Sequence, residues 1–434
     1  MPEVKSRFPI IALAALIFGH FLNHFYAYVL GASLFIVRDF IEMTNAQIGL
    51  ISTAQIIIFA VCSVVVGITG DRWLESKNIY VPLGILLMGG SMFIVAYSYN
   101  FIGLIISALM VGFGASFYHP VAYASIADLF EEKKGVAMGF NTALGMMGTS
   151  ITPFLVVVFN NWIGWRNFFK AFGVIAIALS IGMFAIFHYM IEYRRSEEEL
   201  KEIQDSKSMN MEGKINRWFK KELLVVLTFF IVVCLFYSVF RTGIFRVTNQ
   251  FLSIIFVDYY NFSLFEAGWI TTVILVIGGL TSIAGGFTSD KIATSLTMFI
   301  STTGAVIMLI FLVTLGNVVS GSGAIVLFFV FIAFLYFSAA AGTKYVTENV
   351  PQKSRSLALG FLFAIPSSIA GVFPWAFGSI LDKSTHIWAF VFLLALASMA
   401  FIMTIVLVTK DWRAGVFRRK EQRTLDIMPT DESI

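Results

Sequence analysis

Residues 67–73 read GITGDRW and residues 286–291 read GFTSDK, each closing a long apolar run. The two stretches lie 219 residues apart, and other landmarks share that register: Asp39 with Asp258, Gly49 with Gly268, Gly67 with Gly286 and Asp71 with Asp290. One residue further in offset Asp128 meets Glu348, and two further Gly139 meets Gly360 and Pro153 meets Pro374. An ordered series with so little drift is the signature of an internal duplication. Two similar halves are therefore expected.

The composition says what those halves are made of. The 434 residues are 58% hydrophobic and 13% charged, with a mean hydropathy of +0.85, too few polar residues to clothe a water-soluble globule of this length. Crossing a hydrocarbon core takes about twenty apolar residues, and twelve runs meet that need: 8–37, 47–70, 79–99, 101–127, 135–159, 167–190, 222–257, 265–288, 295–315, 322–345, 355–380 and 386–409. No short apolar core with a small-residue cleavage site precedes the first run, so it is expected to remain as a spanning helix. The fold expected is all-α and integral to the membrane, with twelve transmembrane helices in two pseudo-symmetric six-helix bundles. The domains are 1–190, a linker 191–221, a second bundle 222–410 and a tail 411–434.

Charge sets the orientation. With the N-terminus inside, 23 of the 30 Lys and Arg fall on the inner side, which places both termini in the cytoplasm by the positive-inside rule. A multi-pass protein of the cell (plasma) membrane follows. The 191–221 stretch is charged and poor in apolar residues, reading as a solvated tether. Cys62 and Cys234 lie inside apolar runs, where small buried side chains are the ordinary reading.

The two loops resemble the signature cytoplasmic loop of the major facilitator superfamily, Gly-x-x-x-Asp-Arg/Lys. That resemblance implies transport by rocking of two bundles about a central site. It implies a cytoplasmic gate in which Gly67 permits close packing while Asp71 and Arg72, or Lys77, latch against Asp128. Gly286, Asp290, Lys291 and Glu348 form a partial second copy; Leu74 and Glu75 depart from the pattern. An Asp near a helix N-terminus would also meet the dipole there. GHFLNHFYAYVLG (19–31), GFGASFYHPVA (112–122) and CLFYSVFRTGIFRVTNQF (234–251) resemble the branch containing fosmidomycin-resistance exporters, with His24 where that pattern has Asp. GFNTALGMMGTSITPF (139–154) is similar to the Gly-rich, Pro-terminated helix of antiporters in the superfamily, although such glycines also serve plain helix packing.

Arg241 and Arg246 stand inside an apolar run, where a cation costs about 2.5–3.5 kcal/mol at mid-bilayer on the insertion scale. Counting from Lys221 and Asp258, Arg241 lies about 2 Å and Arg246 about 10 Å from the middle of the span. Acidic residues gather at span ends, so the arginines have no evident carboxylate inside the chain. Either carbonyls and water satisfy them, or an anionic ligand completes the charge through the two-pronged geometry of Arg. His20, Asn23 and His24 make one stripe on the first span, and His119 sits at similar depth in the fourth. These histidines are either packing groups or carriers of a coupling proton. In the superfamily spans 1, 4, 7 and 10 line the cavity, which makes these arginines and histidines candidates for one pocket, and Tyr26, Tyr118, Asn141, Asn249 and Trp375 are candidate wall residues of a mixed apolar and polar pocket. Lys344 is near an inner end and can snorkel.

The function expected is secondary active transport of a small organic solute, anionic or amphipathic, coupled to protons and directed outward as efflux by an antiporter. The alternatives are a proton-coupled importer of organic anions and a non-transporting receptor of the same fold. An enzyme is not expected: H-E-x-x-H, G-x-S-x-G and Cys/His metal spacings are missing, and so is a phosphate-binding G-x-x-x-x-G-K-[ST] loop. No cofactor, metal or nucleic-acid partner is expected. The partners are the solute, protons and the lipid bilayer, with the protein a monomer.

Overall fold

The computed structural model describes residues 2–72, 79–119, 121–122, 126, 134–194, 228–351 and 355–417. Within them every regular element is a helix, as required where no water is present to satisfy backbone groups. The first half carries α1 (Pro2–Ile41), α2 (Asn45–Arg72), α3 (Tyr80–Tyr97), α4 (Phe101–Ala115), α5 (Lys134–Ile163) and α6 (Trp165–Arg194). The second carries α7 (Phe229–Tyr260), α8 (Leu264–Lys291), α9 (Thr294–Leu315), α10 (Gly321–Phe337), α11 (Ala341–Asn349), α12 (Arg355–Ala370), α13 (Phe373–Lys383) and α14 (His386–Arg413). Eleven helical segments among the described residues are long and apolar enough to span a membrane, and Phe101–Ala115 is a shorter apolar helix in the fourth position. Large apolar side chains such as Val61, Val174, Ile181 and Leu280 are more than half exposed, as a lipid-facing surface requires.

The chain divides into two compact units, Met1–Ile215 with Ser263–Thr272, and Asn216–Phe262 with Val273–Ile434. One boundary of this division, at 215/216, falls within the expected linker, most of which, 195–221, lies outside the described residues, as does 418–434 of the tail. In the first unit α1 packs on α5 and α3 on α6; in the second α7 packs on α12 and α9 on α14. Counted in spans from the start of each half, with α10–α11 and α12–α13 each one span, the partners are the same.

The duplication is written into the turns as well. Glu42 and Asn261, 219 residues apart, both take positive φ, 54° and 57°. Two residues on, Thr44 and Gln47 exchange hydrogen bonds across the first turn of α2 (3.0 and 3.2 Å), and Ser263 and Glu266 do the same on α8 (2.9 and 3.3 Å). Each is a capping box, satisfying backbone donors that a helix start leaves open. Asn100 and Ser320 cap α4 and α10 in the same way, each accepting from the backbone N–H three residues on.

Three expected spans are not single helices. The fourth, expected over 101–127, ends its first helix at Ala115 and turns through 116–118; 120, 123–125 and 127 lie outside the described residues. The tenth breaks at 338–340 between α10 and α11, again at a serine. The eleventh breaks at 371–372, where Pro374 opens α13 in a place that needs no N–H. Pro153, its partner in the repeat, lies inside the continuous α5. Beside that proline the Phe154 N–H donates to Thr272 Oγ1 (2.9 Å), a side chain standing in where the ring disturbs the backbone ladder. Small residues permit close helix approach: a Cβ on Gly84 would lie 2.5 Å from Gly114 O, and one on Gly114 2.7 Å from Gly84 O.

Candidate functional site

In the second unit the Arg241 side chain, on α7, borders a cavity of about 90 Å³. Its wall is rich in hydroxyls: Tyr237, Ser238 and Thr242 from α7, Ser338 from the α10–α11 break, and Thr343 from α11. The break itself makes this possible, because an unbroken tenth span would carry its backbone past the cavity with its polar groups paired internally. Ser338 Oγ lies 2.8 Å from Tyr237 OH and 2.7 Å from Ser301 Oγ, and Ser301 donates onward to Phe334 O (2.6 Å). This chain of hydroxyls ends at a carbonyl, which fixes the direction in which its protons point.

Arg241 Nη2 donates to Leu335 O (3.2 Å), while its buried Nε has no acceptor. Among the described residues its guanidinium enters no ion pair. Arg246 likewise holds a buried Nε without an acceptor, but it is not part of the cavity wall. Asn249 is tied to Phe245 O (2.7 Å) and Tyr336 OH (3.2 Å). Trp375, on α13, is 45% exposed.

The first unit gathers a different set. His20 and His24, one turn apart on α1, meet His119 beyond the end of α4, with ring centroids 4.5, 5.3 and 5.5 Å apart and planes near perpendicular. His20 Nδ1 donates to Asn141 O on α5 (2.6 Å), and its ring stacks on Tyr118 at 4.5 Å. The Tyr118 hydroxyl lies 2.7 Å from Asn141 Oδ1 and 2.9 Å from Leu16 O. His24 Nδ1 is 3.1 Å from Thr149 Oγ1. The close approach of α1 and α5 depends on missing side chains: a Cβ on Gly145 would lie 2.7 Å from the His20 ring, and one on Gly148 2.4 Å from Phe21 O. Asn23 and Tyr26 serve backbone carbonyls, Ala115 O (3.2 Å) and Phe172 O (2.9 Å). The structure thus brings His20, His24, His119, Tyr118 and Asn141 together in the first unit, and Arg241 with its hydroxyl wall together in the second.

Of the residues expected at a cytoplasmic gate, Gly67, Asp71 and Arg72 fall in the last turns of α2; their side chains, Lys77 and Asp128 lie outside the described residues. The second copy is visible. Gly286, Asp290 and Lys291 close α8, and Asp290 pairs with Lys344 of α11, which also donates to Ser289 Oγ (3.1 Å). Asp71 and Asp290 therefore stand at helix C-termini, where the dipole opposes an acid, and not near an N-terminus as the sequence led us to expect. For Asp290, Lys344 supplies the compensation. Of the acids in this second copy, Glu348 meets a helix start, accepting from Thr294 Oγ1 (2.7 Å) at the beginning of α9. Sequence reasoning missed Lys344 as the partner of Asp290 and missed Asp411, 5% exposed, which accepts from Ser295 Oγ (2.5 Å) beside Lys410.

The sequence pattern described as Major Facilitator Superfamily matches residues 16–248 and again 234–427. Among curated proteins the chain is similar to the probable L-galactonate transporter of Escherichia coli (strain K12), 22% identical over 202 residues, which are 46% of this chain and only 43% of that relative's length. It is also similar to the hexuronate transporter of Bacillus subtilis (strain 168), 22% identical over 403 residues, 90% of this chain and 92% of the relative. A solved bacterial homolog to the human lysosomal transporter Spinster, inward-facing and unoccupied, superposes with a TM-score of 0.73 at 14% identity, covering 93% of this chain and 98% of that one. At that identity the likeness is one of fold.

Proposed function

Because the chain belongs to the Major Facilitator Superfamily, we propose that it is a secondary active transporter of a small hydroxylated organic acid, worked by alternating access. The observation that carries this reading is Arg241: a guanidinium with a buried Nε lacking an acceptor, bordering a cavity walled by hydroxyls. An unpaired buried polar group is costly, and a carboxylate offers two oxygens in the geometry a guanidinium fits best. The hydroxyl wall suits the remainder of a polyol acid. Both curated relatives above are named for sugar acids, which supports the same class.

Proton coupling belongs to this reading, with the histidine cluster of the first unit as its candidate seat. So does outward transport, which rests on the resemblance of residues 19–31, 112–122 and 234–251 to fosmidomycin-resistance exporters. The protein acts as a monomer in the cell membrane with both termini in the cytoplasm. Proteoliposomes loaded with labelled galactonate, glucuronate or neutral galactitol, with and without an imposed pH gradient, test it. The expected result is movement of the acids and not of galactitol, driven against the direction of the proton. Movement alongside the proton would identify an importer, and retention of every acid tried would contradict the substrate class.

A further inference from the structure

The first unit holds a constellation that its spacing in the sequence conceals. His20, His24 and His119 each present one ring nitrogen within 4.8 Å of those of the other two. In a tetrahedral zinc site with Zn–N of about 2.0–2.1 Å, ligand nitrogens stand about 3.4 Å apart. Modest side-chain rotation closes that difference.

We propose that these three histidines form a binding site for a divalent transition-metal ion that favours imidazole, the zinc and nickel class. The geometry around the rings is that of a supported ligand set. His20 gives its Nδ1–H to the Asn141 carbonyl (2.6 Å), which fixes the tautomer and leaves the Nε2 lone pair for an ion; a ligating histidine nearly always has such an outer partner. His24 Nδ1 lies 3.1 Å from Thr149 Oγ1; with the imidazole as donor in that contact, Nε2 is the nitrogen that would ligate. His119 packs edge-on to Phe59, with centroids 5.8 Å apart, and Tyr118 backs His20 at 4.5 Å, so these two rings are braced by aromatic neighbours. His20 and His24 stand at i and i+4 on one helix face, and His119 approaches from beyond the end of α4. The set contains no carboxylate. Three neutral imidazoles disfavour magnesium and calcium, which take oxygen ligands, and leave a fourth position of a tetrahedron for water or an anionic solute. An ion on these nitrogens excludes a proton from the same lone pairs.

The test uses the tag-free, detergent-purified full chain and reads thermal unfolding against concentration of zinc, nickel, magnesium and calcium chlorides. Zinc and nickel should raise the midpoint saturably, and magnesium and calcium should not. His20→Gln, His24→Gln and His119→Gln should each weaken zinc binding by about tenfold or more, and Thr149→Val by a smaller factor of the kind outer partners contribute. His188→Gln and His386→Gln, which alter the other two of the five histidines, should leave it unchanged. Zinc-edge X-ray absorption on the wild type supplies a readout that needs no variant to fold, with three imidazole nitrogens at about 2.0–2.1 Å expected. No saturable shift, a shift kept in the three cluster variants, or a zinc environment with fewer than three imidazoles would overturn the site. Neither measurement involves solute or transport, so its failure leaves the transport reading standing.

Discussion

Arg246 and Arg241 share a helix and a chemical type, and the structure separates them. Arg246 has a buried Nε without an acceptor and no place in the cavity wall, so that edge of its guanidinium is desolvated with little in return. Replacing such a group by an apolar side chain of similar length is often neutral or stabilising. Arg246→Met should therefore leave the detergent unfolding midpoint unchanged or raise it, and a loss worth about 3 kcal/mol or more would reveal a hidden partner. The glycines of α5 permit an ordered prediction. A Cβ on Gly145 meets a side-chain ring, whereas one on Gly148 meets the backbone carbonyl of Phe21, which has no rotamer by which to escape. Gly148→Ala should destabilise more than Gly145→Ala, both within about 1–3 kcal/mol, as read by thermal unfolding; the reverse order would contradict the α1–α5 packing. At this scale the sequence showed which residues were unusual for their depth, but not their partners. His20 and His119 are 99 positions apart, and only folding reveals that they touch.

The helix starts offer the next level of control. Thr44 and Ser263 each close a capping box at equivalent places in the repeat, so Thr44→Ala and Ser263→Ala should each cost about 1 kcal/mol and should cost similar amounts. Unequal losses in thermal unfolding would show that the halves do not share this device in energy as they do in geometry. The Asp290–Lys344 pair, whose acid is 71% exposed, should contribute less than about 1 kcal/mol to stability. Asp290→Asn should accordingly slow galactonate flux in proteoliposomes while leaving galactonate affinity and the unfolding midpoint nearly unchanged; a large loss of affinity would place Asp290 at the solute. Turns of this kind were legible because Thr-x-x-Gln and Ser-x-x-Glu are local signals. The breaks at 338–340 and 371–372 were not, because the apolar run continues through them: FLYFSAAAG (334–342) reads as uninterrupted membrane helix by hydropathy. Lys344 was assigned to snorkelling for the same reason, its pairing with Asp290 depending on the turn that the run conceals.

Across the whole molecule, the count of apolar runs and the 219-residue register were sufficient to anticipate two helical bundles, since membrane thickness and backbone satisfaction leave few other solutions. What the register could not supply is the asymmetry of the backbone, where Pro153 lies in an unbroken helix while Pro374 starts a new one. The asymmetry of side chain it did supply, since the position of Arg241 falls on Leu22 in the first half. Under the proposed function, the second unit uses this difference to seize a carboxylate. Equilibrium binding of labelled galactonate to the detergent-purified protein tests that most directly, comparing wild type, Arg241→Lys and Arg241→Ala, with galactitol as the uncharged competitor. Removal of a charge-assisted bond predicts an affinity about tenfold or more weaker in Arg241→Ala, an intermediate value in Arg241→Lys and no competition by galactitol. Galactonate binding of equal strength in all three proteins would contradict the claim and return Arg241 to a structural role.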